Sequence, residues 1–235
     1  FSDKACEHLD YLAKYIIGSL KLSDELSSQM VTIDAEPFTM ETGNYGVAID
    51  DLTYYTNENG LSLAVPSELG PVLWTAMDED DPSLTRLGAT KEDVMDMYEY
   101  VGLMFQANSH NPTDRECYFV MIFETEAPTK MTDTALNTGF GDKIQAMFPD
   151  SFEQTEQFGY GTVDVNGIPF YKIFFQTSGD LTIRVYQYNL ITDDGMMYQI
   201  DIMLAPFLVL HIHAVSSSLG VILHHGLILA VNQQP

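Results

Sequence analysis

Basic residues are scarce in this 235-residue sequence. It contains 10 Lys and Arg against 34 Asp and Glu, which gives a formal charge of −24 at pH 7. A field of this sign repels nucleic-acid phosphates and anionic lipid headgroups, whereas it favours cations and basic partners. The composition therefore argues against nucleic-acid binding and against docking on a membrane through a basic patch.

Cysteine is also rare, since Cys6 and Cys117 are the only two in the sequence. Their number and spacing exclude a disulfide-rich small fold and a cysteine-based zinc ribbon. One disulfide bond and two buried thiols both remain open. The hydrophobic fraction of 46% is close to that of globular domains, and the length suits one large domain with a sizeable core.

Signatures of the common enzyme classes are missing as well. The sequence has no G-x-S-x-G elbow, and the GYGT segment at residues 159–162 leads into a strand rather than a helix, so it is not interpreted as a phosphate-binding loop. In the acidic segment that follows Met77, the carboxylates of Asp78 and Asp80 are candidate calcium ligands. Pro82 occupies a position where a calcium loop needs a ligand, so a solvated acidic loop is favoured. We predict no catalytic residue and no cofactor.

Residues 1–42 are predicted to form an N-terminal helical segment and a connector. Apolar residues recur every three or four positions from Ser2 to Leu20, with Ser2 placed as the N-cap of an amphipathic helix. The polar stretch from Ser23 to Thr42 is the best candidate for a boundary. The apolar stripe of the helix requires a partner surface elsewhere in the protein.

Residues 43–205 are predicted to form an α+β domain. The expected elements are a hairpin turning at Asn59-Gly60, a helix from Thr90 to Phe105, a strand from Cys117 to Glu124, a helix between Thr132 and Phe148, and a meander of four strands. This order predicts a twisted antiparallel sheet with helices packed on it.

The same element order resembles the PsbP-like fold family, especially its bacterial secreted lipoproteins and envelope proteins. The resemblance rests on GLSLAVP at 60–66, VNGIPFYKIFF at 165–175 and DDGMMYQIDI at 193–202, and it covers roughly residues 45–203. It implies a non-enzymatic adapter or a subunit of a larger assembly, and it supplies no catalytic residues.

Tyrosines are frequent in the predicted meander. Arg184, Tyr186 and Tyr188 alternate along one strand, so their side chains are expected on one face of the sheet. Aromatic rings beside a cation make a possible recognition surface for a protein or a glycan. Cross-strand aromatic pairs also stabilise sheets without any ligand, and this second interpretation is the favoured one.

Residues 206–235 form an apolar, β-prone tail without a single charged residue. His211 and His213 would point the same way on a strand, a spacing that metal sites use, and they are candidate metal ligands. The tail is also long enough for a membrane anchor, but its histidines and serines and the lack of flanking Lys or Arg argue against a span. A buried hairpin and an unrelated or out-of-frame extension remain open.

Taken together, these observations predict a non-catalytic binding or assembly module, secreted or in the cell envelope. The sequence begins at Phe1 rather than Met, so we expect any targeting peptide to lie upstream. The partner is expected to be another protein or further copies of this chain. Two alternatives are a metal-assisted hydrolase of unknown substrate and a structural subunit of a homo-oligomer.

Overall fold

The computed structural model describes residues 1–33, 36–40, 45, 52–71, 78–80, 90–100, 102–109, 116–126, 155–177 and 183–206. The helices within these residues are α1 (Asp3–Gly18), α2 (Asp24–Ser28) and α3 (Lys91–Tyr100). The strands are β1 (Lys21–Leu22), β2 (Met30–Val31), β3 (Leu52–Thr56), β4 (Leu61–Pro66), β5 (Leu69–Pro71), β6 (Leu103–Ser109), β7 (Glu116–Glu126), β8 (Thr155–Val165), β9 (Ile168–Thr177), β10 (Arg184–Thr192) and β11 (Met196–Pro206).

The strands form two antiparallel sheets. The large sheet has the order β5-β6-β7-β11-β10-β9-β8, and β2 pairs with the end of β10. The small sheet has the order β1-β4-β3. The α+β class and the antiparallel sheet predicted from the sequence are therefore confirmed.

Local sequence signals account for the meander β8 to β11. Asn166 and Gly167 both have positive φ values, 57° and 83°, at the turn between β8 and β9. This is the two-residue turn whose twist matches that of the flanking strands. Gly195 supplies a positive φ at the turn into β11, and each strand of the meander pairs with the next.

Helix α1 packs on the large sheet and belongs to its core. The Ser2 hydroxyl accepts a hydrogen bond from the Ala5 N–H at 3.2 Å, which is the predicted N-cap. Leu9, Leu12 and Ile16 of the apolar stripe are completely buried, and the helix contacts β4 and β11. The partner surface that the stripe requires is therefore formed by β11 of the large sheet and β4 of the small sheet, and the division at residue 42 stays a prediction.

One element prediction was wrong in detail. The helix that begins after Thr90 ends at Tyr100, whereas Met104 and Phe105 lie in strand β6. Gly102 causes the break: its φ is +68°, and a Cβ there would lie 2.0 Å from the backbone oxygen of Glu124. The stretch interpreted as a connector contains α2 and β2, and its role as a boundary stays a prediction.

The two cysteines lie on opposite sides of the large sheet and are not joined by a disulfide. Cys6 is on α1. The hydroxyl of Tyr118 donates to the Ala5 carbonyl oxygen of α1, so Tyr118 faces the helix and its neighbour Cys117 points to the other face. The sheet between them prevents the bond that the sequence left open.

The face of the sheet opposite α1 contains a buried carboxyl group. Asp201 of β11 is 4% exposed and lies opposite Gln187 of β10. Burial raises the pKa of Asp201 to about 7, and hydrogen bonding from Gln199 and Gln187 offsets only part of this rise. The Gln199 Nε2 donates to Asp201 Oδ2 at 2.9 Å. Folding therefore favours the protonated acid.

We predict that Asp201 makes stability fall as pH rises from about 4 to about 7, because the unfolded carboxyl ionises near its ordinary pKa of 3.8 and the folded one does not. Asp201→Asn should remove this decline. The difference in free energy of unfolding between Asp201→Asn and the parent should increase by roughly 2 to 4 kcal/mol between these two pH values, in favour of the variant.

Urea titrations at half-unit pH intervals would measure the difference. The Asp193→Asn variant removes an exposed carboxylate and is the control for the loss of one negative charge. A parallel profile for Asp201→Asn and the parent would show that Asp201 does not titrate in this range.

Candidate functional site

The predicted aromatic group lies beneath α1. Arg184, Tyr186 and Tyr188 share the face of β10 that carries the helix, and Tyr188 is completely buried. Phe174 of β9 lies opposite Tyr186, and Lys172 lies opposite Tyr188. The antiparallel register thus brings two cations and several aromatic rings together on one face.

Asp10 of α1 connects the helix to this group. The Arg184 Nη2 lies 3.2 Å from Asp10 Oδ1 and 3.1 Å from the Tyr186 hydroxyl, while Nη1 donates to Gln176 at 3.0 Å. The guanidinium carbon is 4.7 Å from the Phe174 ring centroid. Burial by itself would lower the pKa of Arg184, but Tyr186 and Asp10 raise it on balance.

Tyr186 acts as a hydrogen-bond donor in this network. Its hydroxyl donates to Asp10 Oδ1. Burial and then the contact with Asp10 raise the pKa of Tyr186 above its ordinary value of 10, against the opposing effect of Arg184. The phenol therefore keeps its proton at neutral pH and is unsuited to the role of a general base.

Lys172 lies in a cage of four aromatic rings. Its Nζ is 4.6 Å from the ring centroid of Phe38, 4.9 Å from those of Tyr186 and Tyr188, and 5.8 Å from that of Tyr45. These distances fall within the range of cation–π attraction. The ammonium also donates to the Tyr45 hydroxyl at 3.3 Å, and the side chain is 2% exposed.

Residues 36–40, here called the strap, close this cage from the edge of the sheet. The N–H of Phe38 donates to the Thr162 carbonyl oxygen and the N–H of Thr162 donates to that of Glu36, both at 2.9 Å. The strap thus adds a short parallel bridge to the outer edge of β8. Phe38 is 8% exposed, whereas Met40 is 45% exposed.

A small cleft remains between α1, the strap and the sheet. It is lined by Asp10, Ala13, Lys14, Met40, Lys172, Tyr186 and Tyr188, and its volume is about 10 Å³. Such a volume suits one water molecule, far below the several hundred Å³ of an organic ligand site. Three of the ten basic residues in the chain lie at or beside this cleft, namely Lys14, Lys172 and Arg184.

The other predicted site residues do not join this group. Asp78 and Asp80 are exposed, and the residues that the structure describes contain no cluster of three His, Cys, Asp or Glu side chains able to hold a metal ion. His211 and His213 lie outside the described residues, as do all of residues 207–235 and the predicted helix at 132–148.

Sequence reasoning missed Asp10, Lys172 and the strap. Lys172 carries a signal, because it is the one charged residue in the apolar run IPFYKIFF. Asp10 and Phe38 carry none, since their partners are distant in sequence. The arrangement holds α1 and the strap on the sheet through contacts within the chain, which gives structural support.

We predict that Asp10 and Tyr186 are energetically coupled. Tyr186→Phe should lower the free energy of unfolding by about 1 to 3 kcal/mol, because the hydrogen bond involves a charged acceptor. In a double-mutant cycle with Asp10→Asn, the two effects should not add.

Tyr11→Phe on the same helix is the control for loss of a hydroxyl, because Tyr11 lies outside this network. Additive effects of Asp10→Asn and Tyr186→Phe in denaturant titrations would contradict the coupling.

Comparisons with known proteins give matches among solved structures alone. No family profile matches the sequence, and no curated protein matches it. Among solved structures, the chain is similar to cyanobacterial PsbP (CyanoP) from Synechocystis sp. PCC 6803, with 15% sequence identity and a TM-score of 0.39 over 76% of this chain and 98% of that one. The name of this structure agrees with the PsbP-like resemblance stated from the sequence.

Proposed function

We propose that this protein is a non-catalytic binding and assembly module of the cell envelope or extracellular space, and that its acidic surface docks on a basic region of a protein partner. The formal charge of −24 supports a basic partner through long-range attraction. The PsbP-like resemblance supports the adapter role, because it implies a subunit or adapter rather than an enzyme.

The exposed face of α3 is the observation that carries this proposal. Val94 on one side of the helix is buried, whereas Tyr100 is 71% exposed. The exposed positions follow a helical spacing and are Glu92, Asp93, Asp96, Glu99 and Tyr100. One face of a ten-residue helix therefore presents four carboxylates and an aromatic ring.

The start of α3 is held by a capping interaction. The Thr90 N–H donates to Asp93 Oδ2 at 2.8 Å, and the Asp93 N–H donates to the Thr90 hydroxyl at 3.1 Å. These bonds hold the pKa of Asp93 below its usual value, so the carboxylate is ionised at neutral pH. The acidic face is thus fixed on an ordered helix before a partner arrives.

The chemistry of this face fits Lys or Arg side chains. Carboxylates steer a basic partner and fix its register, while an exposed tyrosine ring contributes contact area and cation–π attraction. Tyrosine and arginine are the residues that most often dominate binding energy in protein interfaces. Tyr100 is therefore the expected anchor, and its acidic neighbours supply charge selectivity.

Several further observations bear on location and reaction type. No helix among the described residues is long and apolar enough to cross a membrane. The low Lys and Arg content and the family resemblance support the extracytoplasmic location. No contact in the described part of the chain specifically favours the hydrolase or the homo-oligomer, so both stay predictions from the sequence.

We predict that a photoreactive amino acid at position 100 will crosslink this protein to a Lys- or Arg-rich segment of one partner in the cells that produce it. The triple variant Glu92→Gln, Asp96→Asn and Glu99→Gln should reduce the crosslinked fraction about ten-fold or more, because it removes three charges from the docking face.

The control variant carries Glu7→Gln, Glu58→Gln and Asp193→Asn, which make the same change in net charge at exposed positions outside α3. Mass spectrometry would locate the crosslinks. Equal loss in both variants, or crosslinks to segments without basic residues, would contradict the proposed face. Stoichiometric zinc in protein purified without a histidine tag would favour the hydrolase instead.

A further inference from the structure

The outer edge of β8 carries a second surface, separate from the acidic face of α3. Strand β8 is the last strand of the large sheet, and among the described residues only the strap pairs with its outer edge. One pair of backbone hydrogen bonds through Thr162 holds the strap there, whereas β8 pairs with β9 along almost its whole length. The strap is therefore held on this edge by few backbone hydrogen bonds.

Two glycines of β8 form the floor beneath the strap. A Cβ at Gly161 would lie 2.6 Å from the Glu36 oxygen and 2.6 Å from the Phe38 nitrogen. A Cβ at Gly159 would lie 2.3 Å from the Met40 sulfur. The GYGT segment is thus shaped for the close approach of another extended chain, which is one use of glycine within strands.

Alternate side chains of the strap, those of Phe38 and Met40, cover the surface beside β8. Phe38 and Met40 are two positions apart, so in an extended segment both point the same way. Phe38 covers the Lys172 ammonium, and Met40 lies over Gly159 and lines the cleft. The pattern is an aromatic residue, any residue and then a flexible apolar residue.

We propose that the β8 groove, formed by Gly159, Gly161, Thr162 and Lys172, is a docking site for an extended partner peptide with an aromatic-x-apolar pattern, and that the strap occupies it as an internal stand-in. This is strand addition to a sheet edge, in which backbone hydrogen bonds give affinity and side-chain pockets give specificity. The Lys172 cage is the pocket, and it selects an aromatic ring.

The strap is covalently joined to the rest of the chain. This connection explains how one β-bridge and one buried side chain, Phe38, are enough to keep it in place. A segment joined to the groove by a short linker acts at an effective concentration in the millimolar range, so weak contacts are sufficient. A free peptide that pairs with more of β8 gains further backbone hydrogen bonds and can displace it. Removing the anchors of the strap should therefore open the groove.

The probe is a fluorescent peptide with the sequence of residues 35–41, AEPFTME, added to the full-length chain. Fluorescence anisotropy should show saturable binding to the variant Phe38→Ser with Met40→Ser. The unmodified protein should bind about ten-fold more weakly or worse, because its own strap competes. A peptide with serine in place of phenylalanine should not bind.

Two further variants test the floor and the pocket. Gly161→Val or Lys172→Met, each added to the strap variant, should abolish peptide binding while circular dichroism still shows a folded sheet. If the double strap variant does not fold, Phe38→Leu alone removes the ring and keeps an apolar side chain.

Absence of binding by every folded strap variant at millimolar peptide, or equal binding of the serine peptide, would overturn the proposal. Dimerisation of the strap variant in place of peptide binding, seen as mass at two protein concentrations, would identify a second copy as the occupant and would also overturn it. The acidic face of α3 is intact throughout, so failure here is distinct from failure of the proposed function.

Discussion

Side chains alternate between the two faces of the large sheet along β10, and this alternation determines on which face the residues described above lie. Arg184, Tyr186 and Tyr188 face α1, whereas Gln187 and its neighbours face the opposite side. A shift of the register by one residue would exchange the two sets. Helix α1 could not then dock, because Asp10 would lose its partners and the apolar stripe would meet polar side chains.

The placement of basic residues beneath α1 and the strap affects the charge of the exposed surface. Arg184 and Lys172 are placed against Asp10 and aromatic rings beneath α1 and the strap, although the chain has only ten basic residues. The exposed surface is therefore left with even fewer cations to neutralise its carboxylates. A surface with this charge attracts positively charged molecules from a distance.

Local signals made much of the fold predictable. Ser2 as an N-cap, the Asn166-Gly167 turn and the apolar run of β7 are each decided by neighbours in sequence, and the structure has all three. The end of α3 was missed because it depends on the close approach of Gly102 to Glu124 in another strand.

The candidate site was harder to predict for the same reason. The shared face of Arg184, Tyr186 and Tyr188 follows from spacing alone, but its cover by α1 does not. The contact between Tyr186 and Asp10 joins residues 176 positions apart, and no local pattern specifies it. The role of Gly159 and Gly161 likewise depends on a strap that is distant in the chain.

The pairing of β2 with β10 has a consequence for how the protein is made. Val31 leaves the ribosome before its register partner Ile191, which emerges 160 positions later. Contacts of such sequence separation slow folding, because the intervening chain must be ordered to form them. Helix α1, which contacts β11, therefore cannot complete its packing on the large sheet until the last strand of the meander has been synthesised.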